Sequence, residues 1–186
     1  SDKHNAWMST VFPKRALVNT LGAWVAKQGG RQFRLAETEK YPHVTFFLNG
    51  GKEDPEPRED RFMPPSPKVA TYDLAPAMSA AEVTERFVAA IRNGYDLIVT
   101  NYANPDMVGH TGDLKAAMAA CAAVDQGLGA VLDALQPAGG GQGGAAGQGH
   151  WEGVVRTGTR ASFSADRKAR ALPTGDCPTW RPRCWS

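Results

Sequence analysis

Tyr95-Asp96-Leu97-Ile98-Val99-Thr100-Asn101-Tyr102 decides the fold class. Its Leu97-Ile98-Val99 centre is too short for a helix and apolar without interruption, as in a strand buried on both faces. Just upstream, Ser79-Ala80-Ala81-Glu82 has the form of a capping box. Behind it Val83, Phe87, Val88 and Ile91 make an apolar stripe, and Gly94 suits a helix C-cap. Downstream, Leu114, Met118, Cys121, Val124, Leu128, Val131 and Leu135 recur at intervals of three and four, which predicts a long helix over residues 113–135. Helix, buried strand, helix implies α/β architecture with a mostly parallel sheet. Ligands of such sheets sit beyond the carboxyl ends of the strands. The segment at that place is Asn104-Pro105-Asp106-Met107-Val108-Gly109-His110-Thr111-Gly112.

Towards the amino end the same alternation continues. Thr20 can cap a helix running to about Lys27, and Gly29-Gly30 ends it. Residues 32–36 read as a short strand. Residues 41–48 stay ambiguous: aromatic and β-branched content favours strand, whereas Val44, Phe47 and Leu48 fit one helical face. Asn49-Gly50-Gly51 terminates either one. The charged, Pro-rich stretch 52–66 reads as a surface loop.

Bulk properties exclude some classes. At 42% hydrophobic and 22% charged, the 186 residues have the composition of one soluble globular domain or a piece of a larger one. No apolar run approaches the roughly 20 residues of a spanning helix, and Ser1-Asp2-Lys3-His4-Asn5 lacks a signal-peptide core. A cytoplasmic protein without a membrane partner is therefore expected. Cys121, Cys177 and Cys184 show no framework spacing. The net charge of +2 is unevenly spread: residues 151–186 hold seven basic side chains against three acids. The body gives no reason to expect a nucleic-acid partner. From Pro137 the regular pattern stops. Residues 139–149 include seven glycines, and an Arg-, Pro-, Trp- and Cys-rich stretch follows. Residues 137–186 thus read as a glycine-rich linker and an irregular, disordered basic tail.

Asp106 and His110 are four apart, which places both on one face of a helical turn. A carboxylate and an imidazole there are a natural pair for Mn²⁺ or Zn²⁺. The competing reading is a capping carboxylate beside a surface histidine, and two ligands do not fill a catalytic metal site. Lys40, just beyond strand 32–36, could meet a phosphate or carboxylate of a substrate. Alternatively it is a solvated lysine beside Glu37 and Glu39. His43 reads as a packed or surface histidine. No Gly-x-Ser-x-Gly elbow and no phosphate-cradling loop is present.

Longer blocks carry a family resemblance. They are Asn19-Thr20-Leu21-Gly22, Ala36-Glu37-Thr38-Glu39-Lys40-Tyr41, His43-Val44-Thr45-Phe46-Phe47, Asn49-Gly50-Gly51, Ser66-Pro67-Lys68-Val69-Ala70-Thr71-Tyr72-Asp73, and Asn101 to Gly112. In this order they resemble the C-terminal portion of cofactor-independent phosphoglycerate mutases, across about residues 11–136. The resemblance implies a partial alkaline-phosphatase-like α/β/α sandwich. It implies interconversion of 2- and 3-phosphoglycerate through a phosphoserine, two metal ions (commonly Mn²⁺), and a monomer. By the same resemblance Asp106 and His110 ligate one metal and Lys40 contacts substrate. Residues 1–15 correspond to the end of an inserted transferase domain and its hinge, and 16–136 to part of the phosphatase domain.

The sequence departs from that pattern at both ends. The family's nucleophilic serine lies upstream of the matched region, and the Asp-His-Gly-Asn and later His ligands find no counterpart after residue 136. The expectation is a chain inactive by itself, with a tail that reflects a shifted reading frame, or else a non-catalytic half-domain that depends on a partner.

Overall fold

The computed structural model describes residues 17–139, the backbone of strands at 141–147 and 150–156, and isolated positions 7, 9 and 11. Helix α1 (Leu21–Lys27) begins where the Thr20 hydroxyl accepts a hydrogen bond from the Ala23 amide. Strand β1 (Gln32–Ala36) follows. The ambiguous segment resolves as helical, with a π-helical turn at His43–Phe47. Val44 faces inward with Leu48 beside it, so the helical reading prevails over the β propensity, but Phe47, read onto the same face, is exposed.

Strand β2 (Glu59–Phe62) lies inside the stretch read as loop. Its Glu-Asp-Arg-Phe sequence has no strand signature. Parallel pairing with β1, Gln32 opposite Glu59 through Leu35 opposite Phe62, supplies the missing incentive by satisfying backbone groups. Helix α2 (Ala80–Arg92) ends at Asn93, and Gly94 takes the left-handed conformation at φ +70°. The capping box does not form. Ser79 Oγ donates instead to Pro65 O at 2.7 Å, a tertiary bond that outcompetes the local one.

Strand β3 (Leu97–Tyr102) is buried at all six positions and runs parallel to β1, from Gln32 opposite Leu97 to Ala36 opposite Asn101. The parallel unit β2-β1-β3 is therefore the centre of the fold. Helix α3 (Asn104–Gly109) leaves its carboxyl end, and α4 (Leu114–Ala138) follows. Strands β4 (Gly141–Gly147) and β5 (His150–Arg156) form a hairpin, with β5 antiparallel to β3. Sequence reading took these residues as linker. Glycine opposes strand formation, but the far edge of β3 presents unpaired backbone groups that a chain of low side-chain bulk can meet. The tail beyond Arg156 lies outside the described residues.

Alternation along the strands builds two cores. Leu35, Ile98 and Tyr102 pack with Val83, Phe87 and Ile91 of α2 and with Val124, Val131 and Leu135 of α4. Ala36, Leu97 and Val99 pack on the other face with Val44, Val25 and Leu48. The result is a partial α/β/α sandwich. The apolar stripe of α4 is only half used: Leu114 is 74% exposed and Met118 65%, and Cys121 is exposed too. Burial begins at Ala120 and follows Val124, Gly127, Val131 and Leu135, where α2 lies alongside. By length and composition α4 could cross a bilayer, but its Val124, Val131 and Leu135 pack into the core of this domain.

Candidate functional site

Because β1 and β3 are parallel, their carboxyl ends open on the same edge of the sheet. β1 leads into the turn that carries Lys40, and β3 leads into α3, which carries Asp106 and His110. The turn closes where the Lys40 amide donates to Glu37 O at 2.9 Å. Loop 64–72 holds it from outside. The Ser66 amide donates to Thr38 Oγ1 at 3.1 Å, Ser66 Oγ to Glu37 Oε2 at 2.9 Å, and Tyr72 OH to Glu39 Oε1 at 2.7 Å. Burial pushes the Glu37 carboxyl up from the ordinary glutamate range, against hydrogen bonds from Ser66 and Ser79 that favour its charged form.

Asp106 lies in the first turn of α3, where Pro105 fits because its missing N–H has no helical acceptor to lose. A carboxylate in a first helical turn also meets the positive end of the peptide dipoles. The structure brings together all three residues singled out in the sequence. Lys40 Nζ is ion-paired with Asp106 Oδ2, although 66 positions separate them. His110 Nε2 stands 3.3 Å from Asp106 Oδ1. Lys40 is 6% exposed and Asp106 7%, whereas the His110 side chain opens to solvent. The solvated-lysine reading of Lys40 therefore gives way to a buried ammonium paired with Asp106. His43 stacks edge-on against Phe47 at 5.5 Å between ring centroids, in keeping with a packed histidine.

Oδ1 of Asp106 and Nε2 of His110 can converge on a single cation, so this donor pair suits a divalent metal. It forms one corner of a site. Among the described residues no group of three or more His, Cys, Asp or Glu side chains could hold a metal ion.

The family model of the Metalloenzyme superfamily matches residues 4–140. The chain belongs to that superfamily. Over 140 residues, 75% of its length, it is 79% identical to the 2,3-bisphosphoglycerate-independent phosphoglycerate mutase of Ruegeria pomeroyi and 76% identical to that of Agrobacterium fabrum. Each match spans 28% of the relative. Among solved structures, a Leishmania mexicana phosphoglycerate mutase at low cobalt concentration superposes with a TM-score of 0.67 at 29% identity, covering 76% of this chain and 32% of that one. The metalloenzyme fold is thus present here in part, with the Lys40–Asp106–His110 cluster at its strand ends.

A second polar cluster escaped sequence reading. On the opposite side of β1 from Leu35, Gln32 Nε2 donates to Gly22 O at 2.9 Å and Arg34 Nη2 donates to Gln32 Oε1 at 2.6 Å. Glu59 accepts from Asn49 Nδ2 at 2.9 Å and from Arg61 Nε at 2.6 Å. Burial lowers the Arg34 guanidinium to about 10, partly offset by Glu59. Alternation of Gln32 and Arg34 along β1 was the available signal. Nothing local indicated that the face they share is buried.

Proposed function

We propose that this chain is part of a cytoplasmic phosphoglycerate mutase that interconverts 2- and 3-phosphoglycerate, and that it contributes one corner of a metal site. The observation that carries this reading is the meeting of Lys40, Asp106 and His110 at the carboxyl ends of two parallel strands. Asp106 and His110 would hold a divalent ion, Mn²⁺ by the family resemblance. When bound, such an ion neutralises charge on a transferring phosphoryl group. Asp106 is pre-positioned by the first turn of α3 and by its pair with Lys40. Lys40 contributes a desolvated ammonium for an anionic substrate, held in place by the turn that Ser66 and Tyr72 brace. The nucleophile and the remaining ligands belong to other parts of such an enzyme, so the 186-residue chain alone gives no turnover. An enolase-coupled assay with added Mn²⁺ tests this; turnover above the no-protein control refutes it.

A second reading, a non-catalytic half-domain that requires a complementary polypeptide, draws support from exposed apolar side chains. Leu17 and Val18 ahead of α1, Leu21 and Trp24 on it, and Leu114 and Met118 on α4 are exposed. Recovery of activity on mixing with the remainder of a homologous mutase would favour this reading. Activity from the chain alone would remove it.

A further inference from the structure

Helix α4 carries two seams, and the fold fills one of them. Ala120, Val124, Gly127, Val131 and Leu135 are buried, and the larger of them pack with α2 and the sheet. A second set, Leu114, Met118, Cys121, Asp125, Leu128 and Leu132, is spaced by four, three, four, three and four residues. That is the 3.5-residue repeat of a helix-pairing seam. From Leu114 to Leu132 it runs about 27 Å along one side of the helix. Leu114, Met118 and Leu132 are exposed large apolar side chains, Cys121 and Asp125 are exposed, and Leu128 is half-buried. A surface helix ordinarily turns a charged face outwards, whereas α4 has only Lys115, Asp125 and Asp133 along its 25 residues.

We infer that this outer seam joins two copies of the chain, α4 against α4 in antiparallel order, in contrast to the monomer that the family resemblance implies. An antiparallel two-fold contact is closed, because each copy contributes the same surface. One register serves the whole seam. With Leu114 opposite Leu132 of the second copy, Met118 falls opposite Leu128 and Cys121 opposite Asp125. The charges agree with this direction. Lys115 at the start of α4 then lies near the end where the second copy carries Asp133, and parallel pairing would set lysine beside lysine and aspartate beside aspartate. Antiparallel order also opposes the two helix dipoles. A bilayer is the poorer occupant. It would take the Asp125 carboxylate at mid-span, whereas a polar position inside a helix seam fixes register at a cost in affinity. A single helix pair is at the small end of specific interfaces, which puts the dissociation constant on the order of 10 µM.

The test uses the full 186-residue chain in sedimentation equilibrium, at concentrations bracketing that value. The unaltered chain should show a monomer–dimer equilibrium. Met118→Glu should stay monomeric with unchanged circular dichroism, because the Met118 side chain is largely outside the core. Register is read by cross-linking. In a background of Cys121→Ser, Cys177→Ser and Cys184→Ser, one cysteine is placed by Leu114→Cys in one chain and by Leu132→Cys in another. Mild oxidation of the mixture should join position 114 to position 132. Each chain oxidised alone should give at least about tenfold less covalent dimer, since its two cysteines lie too far apart to bridge. Equal cross-linking of the Leu114→Cys chain with itself means a parallel pair or unspecific clustering and overturns the proposal. A chain that is monomeric throughout overturns it too and leaves the seam to a different polypeptide, as does a Met118→Glu variant that associates like the unaltered chain. Flotation of the chain with phosphatidylcholine–phosphatidylglycerol vesicles, abolished by Met118→Glu and with no dimer in their absence, overturns it in favour of a bilayer.

Discussion

Replacing Gly22 with alanine tests how tightly the buried polar network beneath α1 is packed. A Cβ at position 22 would lie 2.6 Å from Arg34 Nη2, 3.0 Å from Asn49 Oδ1 and 3.1 Å from Gln32 Oε1. Helix propensity alone predicts stabilisation, by about 1 kcal/mol at most for alanine over glycine. Against this stands overpacking, at about 2 kcal/mol. Displacement of Nη2 also breaks the charge-assisted bond to Gln32, worth about 2 kcal/mol where the guanidinium cannot reach water. The balance is a loss of about 3 kcal/mol, or roughly 10 °C in melting temperature for a chain of this size. Urea denaturation followed by far-ultraviolet circular dichroism measures the free energy, with thermal melts alongside. The double variant Gly22→Ala, Arg34→Met isolates the cause. With the guanidinium gone, the alanine should cost less than about 1 kcal/mol, because contacting sites are not additive. A Gly22→Ala protein as stable as the parent, or the same loss with and without Arg34, refutes the reasoning.

Three further outcomes are expected. Gly127→Ala should destabilise by about 1–3 kcal/mol in the same urea assay, since its Cβ would stand 2.6 Å from Thr84 Oγ1 and 2.8 Å from Tyr102 OH, which bond each other at 2.6 Å. The raised Glu37 carboxyl makes stability fall with rising pH: above the ordinary glutamate range the unfolded chain has released a proton that the folded chain still binds. Glu37→Gln should therefore flatten stability against pH just above that range, and an unchanged slope would assign the dependence to another group. Exchanging the exposed Leu114 and Met118 together for glutamine should leave stability within about 0.5 kcal/mol and reduce self-association in analytical ultracentrifugation. A large stability loss would mean that something covers this face of α4.

Short-range order was legible from the chain itself. The Thr20 cap, the 32–36 strand, the buried 97–99 run and the periodicity of α2 and α4 each depend on residues a few positions apart, and each appears in the structure. So does the placement of Asp106 and His110 on one helical face, because four residues make about one turn. Tertiary structure alone decided the rest. β2 exists because β1 offers it partners, not because Glu-Asp-Arg-Phe prefers extension. Ser79 abandons its local cap for Pro65. Periodicity marked one face of α4 but could not say where α2 stops covering it, and hence that Leu114 and Met118 face solvent. Lys40 read locally as a solvated lysine among glutamates. Parallel pairing of β1 with β3 brings the ends of both strands to one edge, and that register, set by contacts 65 positions apart, seats its ammonium on Asp106.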